Sequence, residues 1–333
     1  MTECLQSLRF DEFEARRNFV GKSHTHTGKW LDDDPAYREW EDTQHSSLLL
    51  IRGKPGSGKS TLAKYILEMK EEKHQVATDT APVPDGVREV LAAAFFYSIR
   101  GEDKQTDQKL MLQSLLYQLP SQDTRLFVLF RDIYRSRRAS TVPFTWEESD
   151  LRMMLESLAS LTTHKKIYIF VDAMDESDDQ GRPEILRLLS KLCTESSNCH
   201  FKVLVATRPL PRGTIDKKVG HWHIIDLEEK NRGDIEEVVK SGLEKLKRTS
   251  FPMLDFSVAK DYMIKNSSGV FLWVALVLNM ILNCISSGGS QGDLEELLNS
   301  LPQDSDLENM YRRIVDDLVK RTDPPFGKTT YSE

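Results

Sequence analysis

The sequence contains little cysteine, no excess of positive charge and no long apolar run. Its four cysteines are scattered along the 333 residues, at Cys4, Cys193, Cys199 and Cys284. This spacing is not that of a disulfide framework, and the first residues lack the apolar segment of a signal peptide. We therefore expect a cytoplasmic protein.

The most apolar window, residues 269–285, is shorter than the roughly 20 residues that a membrane-spanning helix needs. Two asparagines, Asn279 and Asn283, also interrupt it. We therefore predict a buried helix here and no membrane span. The formal net charge of -7 argues against a surface that is basic throughout, so we expect no nucleic-acid partner.

Short apolar runs alternate with amphipathic stretches from about residue 47 to residue 226. Nearly uninterrupted apolar runs indicate strands of a parallel sheet that helices cover on both faces, so we predict an α/β fold with a sandwiched parallel β-sheet. The predicted strands are 48–52, 90–98, 166–172, 202–207 and 221–226. Residues 75–87, which contain two prolines, are predicted to form a loop after the first long helix.

After residue 226 the strand pattern stops, and we predict an all-α helical domain. Its predicted helices are 231–246, 256–265, 270–285, 292–300 and 306–320. Asp234, with Glu237 three residues later, predicts a capping box at the start of the first helix. The predicted organisation is an N-terminal segment 1–45, an α/β domain 46–226, a helical domain 227–303 and a final segment 304–333.

The stretch "IRGKPGSGKST" (51–61) fits the Walker A pattern G-x-x-x-x-G-K-[ST] between a predicted strand and a predicted helix. Its glycines let backbone N–H groups turn toward phosphate oxygens, and the helix directs its positive end to the same point. We predict that Lys59 neutralises the β- and γ-phosphates. The predicted phosphate-binding residues are Gly53, Lys54, Pro55, Gly56, Ser57, Gly58, Lys59, Ser60 and Thr61.

A phosphate loop needs a magnesium ligand at the end of a neighbouring strand, and the run "IYIFVD" ends in Asp172. We predict that Asp172, through a water, and the Ser60 hydroxyl hold Mg²⁺. Asp175 and Glu176 follow where a carboxylate can position or deprotonate the attacking water, and spacing does not decide between them. Arg208 follows another predicted strand, where its guanidinium is predicted to contact the γ-phosphate.

With these motifs in order, the chain resembles the NACHT family of signal-transducing NTPases in the STAND class. The resemblance is to the fungal NOD-like receptors, whose nucleotide-binding domain is also described as nephrocystin-like. It rests on "LLLIRGKPGSGKST", on the Walker B-like "IYIFVDAMDES" with a small residue after the first Asp, on "KVLVATRP" and on "GVFLWVALVL". It extends over about residues 4–315.

The resemblance implies a switch that holds ADP when closed, exchanges it for ATP on activation and hydrolyses ATP slowly. It implies ATP/ADP and Mg²⁺ as cofactors, protein partners, a nucleotide-dependent homo-oligomer and a role in fungal innate immunity or heterokaryon incompatibility. It also places Arg17 and Val20 near the base. The preference for ATP over GTP rests on the resemblance alone.

The family's effector domain is not represented before residue 1, and residues 304–333 resemble only the opening of its winged helix. We therefore expect a truncated product or a reduced relative that associates with full-length partners. Two other hypotheses remain open. One is an interaction module that binds nucleotide without significant turnover, and the other is a true ATPase with an unidentified substrate.

Overall fold

The protein is described here from a computed structural model, in which the chain divides into two compact units, Met1–Leu227 and a second that begins at Glu228. The structure describes residues 1–10, 15–21, 23–24, 27–80, 90–99, 106–140, 143–162, 164–196, 198–210, 222–249 and 254–301. The predicted helix 306–320 and the predicted segment 304–333 lie outside these residues.

The first unit is built on a five-stranded sheet in which all neighbouring strands are parallel. The strands are β1 (Ser47–Arg52), β2 (Val90–Phe96), β3 (Lys165–Asp172), β4 (Cys199–Thr207) and β5 (Trp222–Asp226). Their order across the sheet is β2-β3-β4-β1-β5, so β4 separates β1 from β3. The predicted parallel sheet is confirmed, although β2 ends two residues earlier than predicted.

Two helical layers cover the sheet. The helices of this unit are α1 (Thr2–Leu8), α2 (Ala15–Phe19), α3 (Pro35–Asp42), α4 (Lys59–Thr80), α5 (Gln108–Gln122), α6 (Phe127–Ser140), α7 (Glu148–Ser157) and α8 (Arg182–Glu195). On one face, α1 and α5 to α8 pack against strand residues such as Leu50 and Ile169. On the other, α3 and α4 pack against neighbours such as Leu49 and Phe170. Because alternate strand residues enter opposite layers, the central positions of the strands are nearly all apolar and form almost continuous runs.

The helix α4 is longer than predicted. Residues 75–80 were expected in a loop but continue the helix to Thr80, so that part of the prediction is wrong. The first proline of the predicted loop, Pro82, comes two residues after the helix end. Residues 75–80 contain no proline that would block helical hydrogen bonding. Residues 81–87 of the predicted loop lie outside the described part of the chain.

The described residues of the second unit form helices only. After the short α9 (Leu227–Lys230) at the boundary come α10 (Arg232–Thr249), α11 (Ser257–Asn266), α12 (Phe271–Ser286) and α13 (Gln291–Ser300). The predicted buried helix is confirmed as α12, whose Trp273, Val277 and Ile281 are completely buried in the core of this unit. In the part of the chain that the structure describes, no helix is both long and apolar enough to cross a membrane.

The predicted capping box of α10 is wrong. The helix begins at Arg232, and the Ile235 N–H already donates to the Asn231 carbonyl at 2.8 Å. Asp234 therefore lies inside the first turn, where its negative charge interacts favourably with the positive end of the helix dipole. A capping box does form at α13, where the backbone and side chain of Ser290 exchange hydrogen bonds with those of Asp293.

A buried lysine joins the N-terminal segment to the sheet. Lys202 on β4 is completely buried. Its Nζ donates to the carbonyl oxygens of Trp40, Thr43 and His45 at 2.6, 2.8 and 3.0 Å and to Ser47 Oγ at 3.1 Å. Burial lowers the pKa of Lys202 to about 8, while the surrounding carbonyl oxygens stabilise the ammonium. Because these carbonyls lie at the end of α3, Lys202 also caps that helix.

We expect Lys202→Met to lower the free energy of unfolding by about 3 kcal/mol, because it removes the donor to the partly buried Thr43 and His45 carbonyls and one of two donors to the buried Trp40 carbonyl. Urea denaturation followed by tryptophan fluorescence measures this loss. The matched control is Lys166→Met, which removes a partly exposed ammonium that contacts Glu41 of the same helix. That change should cost about 1 kcal/mol or less, and equal losses in the two variants would contradict the role given to Lys202.

Candidate functional site

The predicted site residues meet at the carboxyl edge of the sheet. Arg52, the last residue of β1, is in register with Thr207, the last residue of β4, and the Gly53 N–H donates to the Thr207 carbonyl at 3.3 Å. On the other side of β4, β3 ends at Asp172. The strand order thus places the loop after β1, the carboxylate after β3 and Arg208 after β4 side by side.

The loop between β1 and α4 depends on its glycines. Gly56 and Gly58 adopt the left-handed region, with φ of 75° and 90°, which is costly for a residue with a side chain. At Gly53, an added Cβ would lie 2.5 Å from Ser57 Oγ. The sequence therefore permits a curled backbone directly before the first turn of α4, where helix N–H groups face outward.

Positive charge is held at this loop by Lys59. Its Nζ donates to the carbonyl oxygens of Gly53 and Lys54 at 2.8 and 2.9 Å. The side chains of Lys54 and Pro55 are exposed, and that of Thr61 is partly buried on the first turn of α4. An ammonium, a glycine loop and a helix N-terminus together form a site for phosphate.

Asp172 is a buried carboxylate without a hydrogen-bond partner among the described residues. Its side chain is 1% exposed, and neither oxygen makes a bond of good geometry. Burial raises the pKa of Asp172 from its usual 3.8 to about 6, opposed by the nearby Ser60 hydroxyl, the Ala173 backbone and the charges of Lys59 and Arg16. A carboxylate in such surroundings is unfavourable unless a cation accompanies it.

The residues present fit a magnesium ion that is bound together with nucleotide. Nowhere among the described residues do three or more His, Cys, Asp or Glu side chains cluster to hold a metal. Of the six oxygens that Mg²⁺ requires, the Ser60 hydroxyl would supply one and Asp172 would hold another through a water, and phosphate oxygens and further water would supply the others.

The chain bends sharply after Asp172. Ala173 adopts φ 53° and ψ 43° in the left-handed region, which costs about 1 kcal/mol for a non-glycine residue. A short 3₁₀ turn, Met174–Glu176, follows. This bend returns Asp175 and Glu176 toward the sheet edge and explains why a small residue follows the first aspartate.

Asp175 is engaged by Arg208. One carboxylate oxygen accepts from the Arg208 backbone N–H at 2.9 Å, and the other pairs with Arg208 Nε at 2.9 Å. The pair leaves the two terminal nitrogens of the guanidinium outside it. Glu176, by contrast, uses Oε2 to accept from the Ile99 N–H at 3.1 Å and leaves Oε1 outside that bond. The two carboxylates left undecided by spacing are therefore in different environments.

Two residues at this edge are not among those predicted from the sequence. Thr207 is completely buried, and its Oγ1 has no partner in the described part of the chain, although it lies between β1 and β3. A polar residue directly after the apolar run 203–206 is the signal that the sequence offers. The second is Arg16 on α2, whose charge reaches Asp172 and which no sequence pattern connects to the loop.

The parallel sheet, the glycine loop with Lys59 and the carboxylate at the end of β3 define a P-loop nucleotide-binding protein of the NTPase class. A family model described as "Nephrocystin 3, N-terminal" matches residues 26–208, more than half of the chain. The protein belongs to this family.

A relative is the vegetative incompatibility protein HET-E-1 of Podospora anserina. It is 23% identical over 256 residues, which are 74% of this chain but only 17% of the relative. The chain thus spans less than a fifth of the length of the curated relative that it matches.

Two solved structures are among those to which the chain is similar. The Drosophila ORC bound to DNA has a TM-score of 0.43 and 17% identity, over 96% of this chain and 70% of that one. A Walker-type ATPase of Pyrococcus abyssi has a TM-score of 0.43 and 12% identity, over 88% and 76% of the two chains.

We expect Asp172→Asn to stabilise the nucleotide-free protein at pH 8 by about 1 to 3 kcal/mol. The pKa of Asp172 is higher in the folded than in the unfolded chain. Its ionisation therefore destabilises the fold above about pH 6, and this effect vanishes as the pH falls toward 4. Thermal unfolding of stripped wild type and variant, compared at pH 5 and pH 8, measures it. A gain independent of pH would contradict the explanation.

Proposed function

We propose that the protein is a nucleotide-controlled signalling switch in the cytoplasm that binds ATP with Mg²⁺ and hydrolyses it slowly. The observation that carries this proposal is the buried carboxylate of Asp172 beside the glycine loop. A buried carboxylate with no hydrogen-bond partner among the described residues makes the fold favour a state in which a cation and its phosphates are bound.

Each residue of the edge has a role in this proposal. The loop from Gly53 to Thr61 cradles the phosphates, and Lys59 moves its N–H bonds from loop carbonyls to phosphate oxygens. Ser60 and Asp172 hold the metal. Bound Mg²⁺ supplies neutralisation of the phosphate charge. Arg208 directs its terminal guanidinium nitrogens at the γ-phosphate, and Asp175 is the positioning residue that orients it.

The partners of the two nearby carboxylates support slow turnover. Both oxygens of Asp175 are occupied by Arg208, so we assign the positioning of water to Glu176. Because Glu176 also binds the Ile99 N–H, it is restrained by a backbone contact. A general base must lie within hydrogen-bond reach of the water proton, and the Ile99 N–H competes with that water for the carboxylate of Glu176.

Similarity to an incompatibility protein supports a signalling role over mechanical or metabolic work. We propose protein partners, including full-length relatives, and a nucleotide-dependent homo-oligomer. The alternatives are a true ATPase with its own substrate and an interaction module without turnover. The three differ in how tightly nucleotide is held and how often it is turned over.

Chromatography of the nucleotide released from heat-denatured protein tests the proposal directly. We expect close to one ADP per chain and an ATPase rate far below one per second, under the range of ordinary enzymes. Rapid multiple turnover with free exchange would favour the true ATPase. Protein that retains nucleotide but hydrolyses none of it, even in a single turnover, would favour the interaction module.

Lys59→Ala should abolish nucleotide retention, because it removes the ammonium that neutralises the phosphates. Protein purified with its ligand should also melt at a lower temperature, because the variant loses the stabilisation that a tight ligand gives through mass action. At a ligand concentration a hundredfold above Kd, that stabilisation is roughly 3 kcal/mol of unfolding free energy. The control is Lys260→Ala, an exposed position on α11. If both variants retain nucleotide equally, Lys59 has no part in binding.

Arg208→Ala should reduce the single-turnover rate of ATP hydrolysis by at least about tenfold, since arginines that contact a transferred phosphate contribute that much or more. Its ion pair with Asp175 is partly exposed, so the free energy of unfolding should change by less than about 1 kcal/mol. Rapid quenching of pre-bound ATP measures the rate. A large loss of stability with an unchanged rate would show that Arg208 is structural only.

A further inference from the structure

The short helix α2 is fastened to the helix that follows the phosphate loop. Lys64 Nζ on α4 donates to the carbonyl oxygens of Arg17 and Val20 at 3.1 and 2.7 Å. Arg17 also pairs with Glu71 at 2.5 Å. Because Lys64 follows Lys59 by five residues, or about 7.5 Å of helix, α2 lies close to the first turns of α4 and so to the loop.

The same helix also approaches the strand next to Asp172. It lies against β2, and the last residue of β2, Phe96, is in register with Asp172. Val20, just after α2, is buried in the same apolar layer as residues of α4 and β3. The segment from Ala15 to Val20 is therefore fixed at two points that flank the candidate site.

Two neighbouring arginines of α2 are in different surroundings. Arg17 is ion-paired on α4. Arg16 instead has a buried Nε with no acceptor among the described residues. A buried guanidinium N–H is unfavourable without an acceptor, and an anionic oxygen is the acceptor that it binds most strongly.

The charge of Arg16 acts on the site. It is one of the charges that hold down the pKa of Asp172 against the effect of burial. No ion pair or hydrogen bond between Arg16 and Asp172 is formed in the described part of the chain. A donor without acceptor and an acceptor without donor therefore lie near each other, beside a loop that suits phosphate.

We propose that Arg16 binds the γ-phosphate of bound ATP and so couples the number of phosphates to the docking of residues 15–20. This rests on the proposed function. The phosphate would satisfy the Arg16 guanidinium while a cation satisfies Asp172. If Arg16 instead contacted the base or the ribose, its loss would lower the affinities for ATP and ADP equally. Comparison of the two affinities therefore distinguishes a phosphate contact from a base or ribose contact.

The first test compares Arg16→Gln with Arg17→Gln. Calorimetry measures the Kd of Mg²⁺–ADP and of the non-hydrolysable analogue Mg²⁺–AMPPNP for each stripped protein. For Arg16→Gln we expect the affinity for AMPPNP to fall at least about tenfold and that for ADP less than about threefold, as for loss of a charge-assisted contact to one phosphate. Arg17→Gln should change both affinities by the same factor, because a residue near the base affects ADP and AMPPNP alike. Equal losses of AMPPNP and ADP in Arg16→Gln would overturn the proposal.

The second test measures docking without measuring activity. Phe19 on α2 is 84% exposed, and a phenylalanine matches the specificity of chymotrypsin. In wild type, AMPPNP should slow cleavage after Phe19 several-fold more than ADP does, because local opening precedes proteolysis. The difference should disappear in Arg16→Gln and remain in Arg17→Gln. Equal protection by the two nucleotides in wild type would also overturn the proposal.

The outcomes distinguish this proposal from the function on which it rests. If wild type binds neither nucleotide, the proposed function fails. If wild type binds both and Arg16→Gln keeps the same preference, only the role of Arg16 fails. Arg16→Lys, which keeps the charge but loses the planar fork, should recover part of the affinity for AMPPNP. A cooperative unfolding transition, measured for each variant without nucleotide, establishes that the variant is folded.

Discussion

The site depends on one unfavourable feature, a buried carboxylate that forms no hydrogen bond of good geometry with any residue that the structure describes. Asp172 follows five buried, mostly apolar residues, 167–171, at the end of β3, and the sheet places it beside an ammonium, a hydroxyl and a glycine loop. Nearly all of the first unit serves this placement. Two helical layers bury the strands, and burial of the strands is what removes water from Asp172.

The cationic side chains around Asp172 are held in place by groups other than Asp172. Lys59 is held by loop carbonyls, and Arg208 is held by Asp175 through Nε and the backbone. Each cation is therefore oriented by a partner that engages only some of the cation's N–H groups. Preorganised donors of this kind need little rearrangement when an anion binds.

The sheet and loop were predictable because they rest on local signals. Strands buried on both faces give continuous apolar runs, and the glycines and lysine of the loop form a pattern with a single known chemistry. Where a strand ended, or whether α10 began at its Asp, depended on competing backbone hydrogen bonds that sequence spacing does not show. Thr207 and Arg16 escaped prediction for another reason, since their importance comes only from neighbours distant in sequence.

The position of β4 between β1 and β3 has a consequence for how the chain folds. The strands β1 and β3 are both synthesised before β4, yet in the finished sheet they never pair with each other. Until β4 emerges, each presents an apolar edge with unsatisfied backbone groups, and such edges invite wrong pairing and aggregation. The late, long-range insertion of one central strand is therefore expected to be the slow step of folding, and the phosphate loop gains its neighbours only when that step is complete.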